Sequence, residues 1–94
     1  MNYVTLGKTG LKAAVVSFGG IPIQRSDAAN TRAVVDKLEQ YGMNYIDTAR
    51  GYTVSEEYLG AALEGRREKF ILATKSMARD KESMAKDIDI SLKN

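Results

Sequence analysis

The sequence has no cysteine, no histidine and a single proline. Without cysteine there is no disulfide framework and no thiolate metal site. Without histidine there is no H-E-x-x-H zinc motif either, so no metal is expected. Neither glycine-rich phosphate loop occurs: there is no G-x-G-x-x-G and no Walker-type loop ending in Gly-Lys-Ser/Thr, which argues against a Rossmann dinucleotide site. No apolar run approaches the roughly eighteen residues of a membrane span, so no membrane partner is expected. The first residues, Met1-Asn2-Tyr3-Val4, lack the basic-then-apolar pattern of a signal peptide. These absences together point to the cytoplasm. Charge of one sign is also scarce. Lys and Arg number 14 against 12 Asp and Glu, a net charge of +2. Bases alternate with acids, as in Glu64-Gly65-Arg66-Arg67-Glu68-Lys69, so no basic stripe forms and nucleic acid is not expected as a partner.

What is present is the composition of a globular chain: 44% hydrophobic and 28% charged residues in 94 positions, enough for one small domain. Tyr3–Leu6 and Leu11–Ala14 flank a glycine-bounded turn and predict a β-hairpin. Val15–Phe18 predicts a short buried strand, stopped by Gly19-Gly20, where the backbone should approach something closely. Pro22 makes the next stretch a loop. Ser26 or Asp27 caps a helix from Ala28 to about Tyr41, with Val34, Leu38 and Tyr41 as its apolar face, widened by Val35, and Gly42 as its stop. Asn44–Thr48 is the next strand. Ser55 caps a second helix whose first turn holds Glu56 and Glu57, whose buried stripe is Leu59, Ala62 and Leu63, and which Gly65 ends. Gly60 inside that helix costs about 1 kcal/mol against alanine, which suggests close packing on a neighbour. Phe70–Thr74 reads as a strand covered on both faces. Asp80 caps a third helix lined by Met84, Ile88 and Leu92, with Ile90 off that face. Strands recurring at just under thirty residues with helices between them make a parallel βαβ arrangement.

Three groups with useful chemistry fall at or just past strand ends: Asp47, Tyr52 and Lys75. In a parallel sheet all three can meet at one end, where α/β proteins place their sites. A phenol with a pKa of about 10 donates a proton slowly at neutral pH, and a nearby ammonium stabilises its anion. A carboxylate beside the ammonium keeps it charged and oriented. The three together make a general acid suited to protonating a carbonyl oxygen as it becomes an alkoxide. The hydride for such a reduction cannot come from a side chain and implies a nicotinamide cofactor. Each residue also has a plainer reading. A carboxylate at a strand end is commonly a loop or cap residue, a tyrosine beside Gly51 a packing residue, and a lysine after a strand a solvated charge.

The order of motifs resembles that of the aldo-keto reductases. Leu6-Gly7-Lys8-Thr9-Gly10-Leu11-Lys12 is similar to that family's amino-terminal hairpin, and Ser17-Phe18-Gly19-Gly20 to the end of its first barrel strand. Gly42-Met43-Asn44-Tyr45-Ile46-Asp47-Thr48-Ala49, with Gly51-Tyr52 and Ser55-Glu56, is similar to its best-known signature. Leu59-Gly60-Ala61-Ala62-Leu63 and Ile71-Leu72-Ala73-Thr74-Lys75 complete the pattern. The resemblance implies an α/β fold: a hairpin plus about three βα units (residues 15–94) of a (β/α)8 barrel. It implies NADPH as cofactor and a small-molecule carbonyl compound with an apolar side as substrate. By the match, Tyr52 would be the general acid, Lys75 its partner and Asp47 the orienting carboxylate, with Gly20, Ile21 and Asp47 near the nicotinamide. Ile21, Ile23 and Tyr52 would contribute to the pocket. The wording is nearest to bacterial members, some of which carry an iron–sulfur extension, for which this cysteine-free sequence offers no ligand.

The departures set a second expectation. A fourth catalytic residue of the family is a histidine on the next strand, and this sequence has none. A full barrel takes about 250 residues. The sequence is therefore expected to be an amino-terminal piece, inactive alone. The alternative function is that of an interaction piece, self-associating through open sheet edges rich in Val, Ile and Leu.

Overall fold

The computed structural model describes residues 1–94. Its elements run β1 (Tyr3–Thr5), β2 (Lys12–Ala14), β3 (Phe18–Gly19), α1 (Ala28–Tyr41), β4 (Tyr45–Asp47), α2 (Ser55–Ala62), β5 (Ile71–Ala73) and α3 (Lys81–Lys93). Short 3-10 turns occupy Ile21–Arg25 and Arg67–Lys69. β1 and β2 pair antiparallel as the expected hairpin, Tyr3 opposite Ala14. The other strands form a parallel sheet in the order β3-β4-β5. This is a hairpin and three βα units of a partial barrel. No helix is long and apolar enough to cross a membrane.

The register explains which residues go inside. Phe18 pairs with Ile46, and Ile46 with Leu72. Register partners share a face of a pleated sheet. That row lies under the helices, in a core of Val35, Leu38, Ile46, Leu59, Ala62, Leu63 and Phe70, with Phe18 and Leu72 packed against it. Tyr45 and Asp47, one position away on either side of Ile46, point to the opposite face.

α1 begins where a cap was expected: the Asp27 carboxylate accepts from the Asn30 amide at 2.7 Å. Its buried stripe is Thr31, Val35 and Leu38. Val34 is half-buried and Tyr41 is 62% exposed, contrary to the expected face. Tyr41 is the last helical residue, and Met43, just past the Gly42 turn, packs on the core instead. Val15 and Val16 are also exposed rather than in a buried strand. The Val15 amide still donates to the Asn2 carbonyl of the hairpin at 2.9 Å, so β3 starts only at Phe18.

Ser55 does not cap α2. It lies inside the helix, fully buried, and its hydroxyl bonds sideways to the Thr48 hydroxyl at 2.8 Å and the Gly20 carbonyl at 3.3 Å. The helix ends at Ala62, before Gly65. Gly60 does mark a close contact: a Cβ there would lie 1.9 Å from the carbonyl oxygen of Asn94. Asp80 caps α3, accepting from the Ser83 amide at 2.8 Å. None of α3 is buried, however, and Met84, Ile88 and Leu92 are 37%, 51% and 80% exposed. The apolar face is there; nothing in the chain covers it. Ile90 is exposed as well, so its place off that face needs no buried partner.

The hairpin is tied to the same sheet at its lower end. The Asn44 side chain accepts from the Ala14 amide and donates to the Lys12 carbonyl, both at 2.8 Å. The Tyr3 hydroxyl donates to the Gly42 carbonyl at 2.8 Å.

Candidate functional site

The ladder of the sheet continues past the named strands, and this continuation places the site. The Thr48 amide donates to the Ala73 carbonyl at 2.7 Å, and the Arg50 amide to the Lys75 carbonyl at 2.9 Å. On the other side the Gly20 amide donates to the Asp47 carbonyl at 2.7 Å. Asp47 and Ala73 are register partners, and Lys75, two residues further, returns to the same face.

The result is the meeting expected from the sequence. The Lys75 ammonium donates to the Asp47 carboxylate at 2.8 Å and to the Thr48 carbonyl at 2.6 Å. It lies 5.1 Å from the centre of the Tyr52 ring, within cation–π reach. Its pKa is raised, first of all by the hydrogen bond to Asp47; burial lowers it next, and the Asp47 charge and Tyr52 add smaller rises. Lys75 is therefore a fixed cation throughout the neutral range. The side chains of Lys75 and Asp47 are 50% and 44% exposed, so the group faces an open surface.

Tyr52 is half-buried in a tight loop. Its amide donates to the Ala49 carbonyl at 3.1 Å, and its carbonyl accepts from the Ser55 amide at 2.8 Å. Thr53, next to it, sits at φ +46°, a left-handed conformation that is costly for a β-branched residue. Gly51 lies against the exposed side chain of Met77, from the loop after β5.

Gly20 and Ile21 lie at the same end. Gly20 is buried: an added Cβ would meet the Asp47 carbonyl at 2.8 Å and the Ser55 hydroxyl at 3.2 Å. The close approach expected of the double glycine is thus made by Gly20, while Gly19 has open space beside it. Ile21 is 58% exposed on the rim, and Ile23 is buried below it. An exposed isoleucine beside Asp47 gives a flat, mostly apolar ring an apolar surface with one polar group at its edge. The residues present therefore fit the nicotinamide end of a dinucleotide. Two cations at this end, Lys75 and Arg50, are held by carboxylates.

Reasoning from sequence missed Glu56 as more than a helix-end acid. It is 7% exposed and takes hydrogen bonds from Arg50 at 2.6 Å, Thr74 at 2.8 Å and Asn94 at 3.2 Å. Burial pushes its carboxyl up, but bonds from Ser91, Thr74, Arg50 and Asn94 outweigh that and hold it below the usual carboxylate value. The pairing of β4 with β5 brings Arg50 and Thr74 together and the end of α3 adds Asn94, and no local motif announces it. Two clefts of about 480 and 470 Å³ lie elsewhere, one under the hairpin beside Leu38 and Phe70, the other between α2, β5 and the end of α3. Neither includes Asp47, Tyr52 or Lys75.

Comparison with known proteins identifies the family and the fold. The model of the Aldo/keto reductase family matches residues 15–94. The chain is 39% identical over 79 residues to an L-galactose dehydrogenase of Arabidopsis thaliana, covering 74% of this chain and 25% of that protein. It is 30% identical over 82 residues to a protein described as a probable voltage-gated potassium channel subunit beta, also from Arabidopsis thaliana, with 80% and 25% covered. Among solved structures, a Pseudomonas aeruginosa protein assigned as an aldo-keto reductase superposes with a TM-score of 0.85 at 27% identity, over 97% of this chain and 41% of that one. The holo form of an aldo-keto reductase from Bacillus halodurans gives 0.81 at 29% identity, over 100% and 37%. The chain spans about a quarter of the length of the curated relatives it matches. It belongs to the aldo/keto reductase family.

Proposed function

We propose that this member of the aldo/keto reductase family carries the proton-donating part of a site that reduces aldehydes or ketones to alcohols. The observation that supports this is the line Asp47–Lys75–Tyr52, with contacts of 2.8 Å and 5.1 Å, at the carboxyl end of a parallel sheet. Tyr52 is the general acid. Its proton passes to the carbonyl oxygen of a bound substrate as that oxygen gains negative charge. Lys75 stabilises the phenolate left behind. Asp47 keeps Lys75 charged and pointed at the ring.

NADPH supplies the hydride to the carbonyl carbon when bound. Gly20, Ile21 and Asp47 border the place where its nicotinamide end would lie: Ile21 gives the apolar surface, Asp47 the polar edge, and Gly20 the close approach between β3 and β4. The substrate is a small carbonyl compound with an apolar side, which Ile21 and the Tyr52 ring would face. We place this activity in the cytoplasm.

The 94 residues contain no histidine, so this chain alone should not oxidise NADPH with a model aldehyde above background. The decisive test replaces the matching segment of the Bacillus halodurans enzyme with residues 1–94. The chimera should reduce the aldehyde, and Tyr52→Phe should cut kcat by about 10²–10⁴-fold, as loss of a general acid does. Lys75→Met and Asp47→Asn should also lower kcat strongly. Full activity in the Tyr52→Phe chimera overturns the assignment.

A second reading concerns the chain by itself. β3 and β5 are outer strands, and the Met84, Ile88 and Leu92 face of α3 is uncovered. Both features favour pairing with a second copy. Sedimentation velocity should show concentration-dependent association. A monodisperse monomer that melts cooperatively refutes it.

A further inference from the structure

Glu56 is the one buried carboxylate that the proposed chemistry does not use. It is the second residue of α2, directly after the loop that carries Tyr52. Its two oxygens collect donors from three separate segments. Arg50 comes from the Tyr52 loop, Thr74 directly precedes Lys75, and Asn94 comes from the end of α3. Arg50 and Lys75 are also joined through their backbones, amide to carbonyl, at 2.9 Å. The two segments that must present Tyr52 and Lys75 to each other therefore end on the same side chain. Gly60 leaves room for the third segment, because a Cβ there would collide with the backbone of Asn94, whose side-chain amide donates to Glu56.

We propose that Glu56 is a positioning residue that fixes the spacing of Tyr52, Lys75 and Asp47 by clamping Arg50 and Thr74, with the end of α3 as its outer brace. A further consequence concerns Arg50. Its guanidinium is three residues from Asp47, and the ion pair with Glu56 keeps it from competing with Lys75 for that carboxylate. The idea rests on the Tyr52–Lys75 reading, so its test must not depend on turnover.

The test is the pH profile of Lys75 acylation by an amine-reactive ester on the full 94-residue chain, read by peptide mass spectrometry, with Lys8 as internal reference. An ammonium bonded to Asp47 is protected, because only the free amine reacts. Glu56→Gln keeps the shape but removes Arg50's counter-charge. Its Lys75 profile should move to lower pH, with acylation at fixed neutral pH rising about threefold or more, the equivalent of half a pKa unit. Thr74→Val removes one arm of the clamp and should give a smaller rise in the same direction. This variant keeps the proposal testable if Glu56→Gln fails to fold. Glu39→Gln breaks the Arg66 and Lys69 ion pairs at the far side of α1 and should leave the profile in place. A Glu56→Gln profile that superimposes on the parent's overturns the proposal. So does a Glu39→Gln profile that moves as far as that of Glu56→Gln. Neither result bears on whether Tyr52 is the acid, which the chimera tests separately.

Discussion

α2 and α3 follow consecutive strands of one sheet and carry similar apolar patterns, yet they are held in different ways. α2 buries Leu59, Ala62 and its neighbour Leu63 against Ile46 and the inner face of α1. α3 buries nothing. It is attached by polar groups: Asn94 to Glu56, the Ser76 hydroxyl to Asp87, and the backbone contact at Gly60. Apolar burial is non-directional and scales with area, whereas the polar attachments depend on a few distances. α2 should therefore fail only with the whole domain, and α3 should loosen alone. A longer neighbour covering Met84, Ile88 and Leu92 would make the two helices alike.

The largest test of that contrast is a pair of truncations. Leu59→Ala should cost about 2–5 kcal/mol in urea unfolding, the usual range for a large-to-small change in a closed core. Ile88→Ala, on the open face of α3, should fall within about 0.5 kcal/mol of the parent at dilutions where the chain is a monomer. Equal losses would mean that the α3 face is covered in solution, and dilution would then show whether a second copy covers it.

Gly60→Ala sharpens the comparison next. In an isolated helix the change gains about 1 kcal/mol. Here the new Cβ falls 1.9 Å from a backbone oxygen, which cannot swing aside as a flexible side chain would. The end of α3 must move, and the Asn94 bond to Glu56 with it. Hydrogen exchange should quicken across α3 while α1 keeps its protection. A simple gain in stability would show that the α2–α3 contact does not form.

These two helices also show how far the sequence could be read. The helix starts at Asp27 and Asp80 were legible because a cap is a local device, acid followed three residues later by the amide it serves. The meeting of Asp47 with Lys75 was legible because parallel pairing of successive strands sets which ends coincide. The apolar stripe of α3 is legible as a stripe, but periodicity marks only the face and says nothing of what lies opposite. Ser55 looked like a cap because serine before two acids usually is. Its hydroxyl instead found Thr48 and Gly20, partners that exist only once β3, β4 and α2 are assembled. Glu56 escaped for the same reason: its donors are 6, 18 and 38 positions away along the chain.

Acid should separate the two helices by charge rather than by volume. The folded pKa of Glu56 lies below its ordinary value of 4.5. A depressed carboxylate pKa means the unfolded chain takes up the proton first, so its stabilisation is fully present above about pH 4.5 and is lost as pH falls through the folded value. Because Glu56 joins α3 to the sheet, amide protection in α3, relative to the unfolded exchange rate at each pH, should fall on acidification before that in α1. Simultaneous loss in both helices would place the Glu56 contacts in the global core instead.

The smallest effect comes from treating the same cap alike in both regions. Asp27 and Asp80 each accept an amide three residues on, at 2.7 Å and 2.8 Å. Losing such a cap costs about 1 kcal/mol of helix stability wherever it lies. In α1 the helix cannot unravel without exposing Thr31 and Val35, so Asp27→Ala should appear in full in global unfolding. In α3 the first turn carries no buried side chain, so Asp80→Ala should fray residues 81–84, visible as lost amide protection there, and leave the global midpoint almost unchanged. The Asp80 carboxyl is held below its usual value by the Ser83 backbone and side-chain bonds, so protonating it should mimic the substitution and fray the same turn. If Asp80→Ala lowered global stability as much as Asp27→Ala, the start of α3 would be part of the cooperative core, and the polar attachments at its other end would be reinforcing a helix already docked.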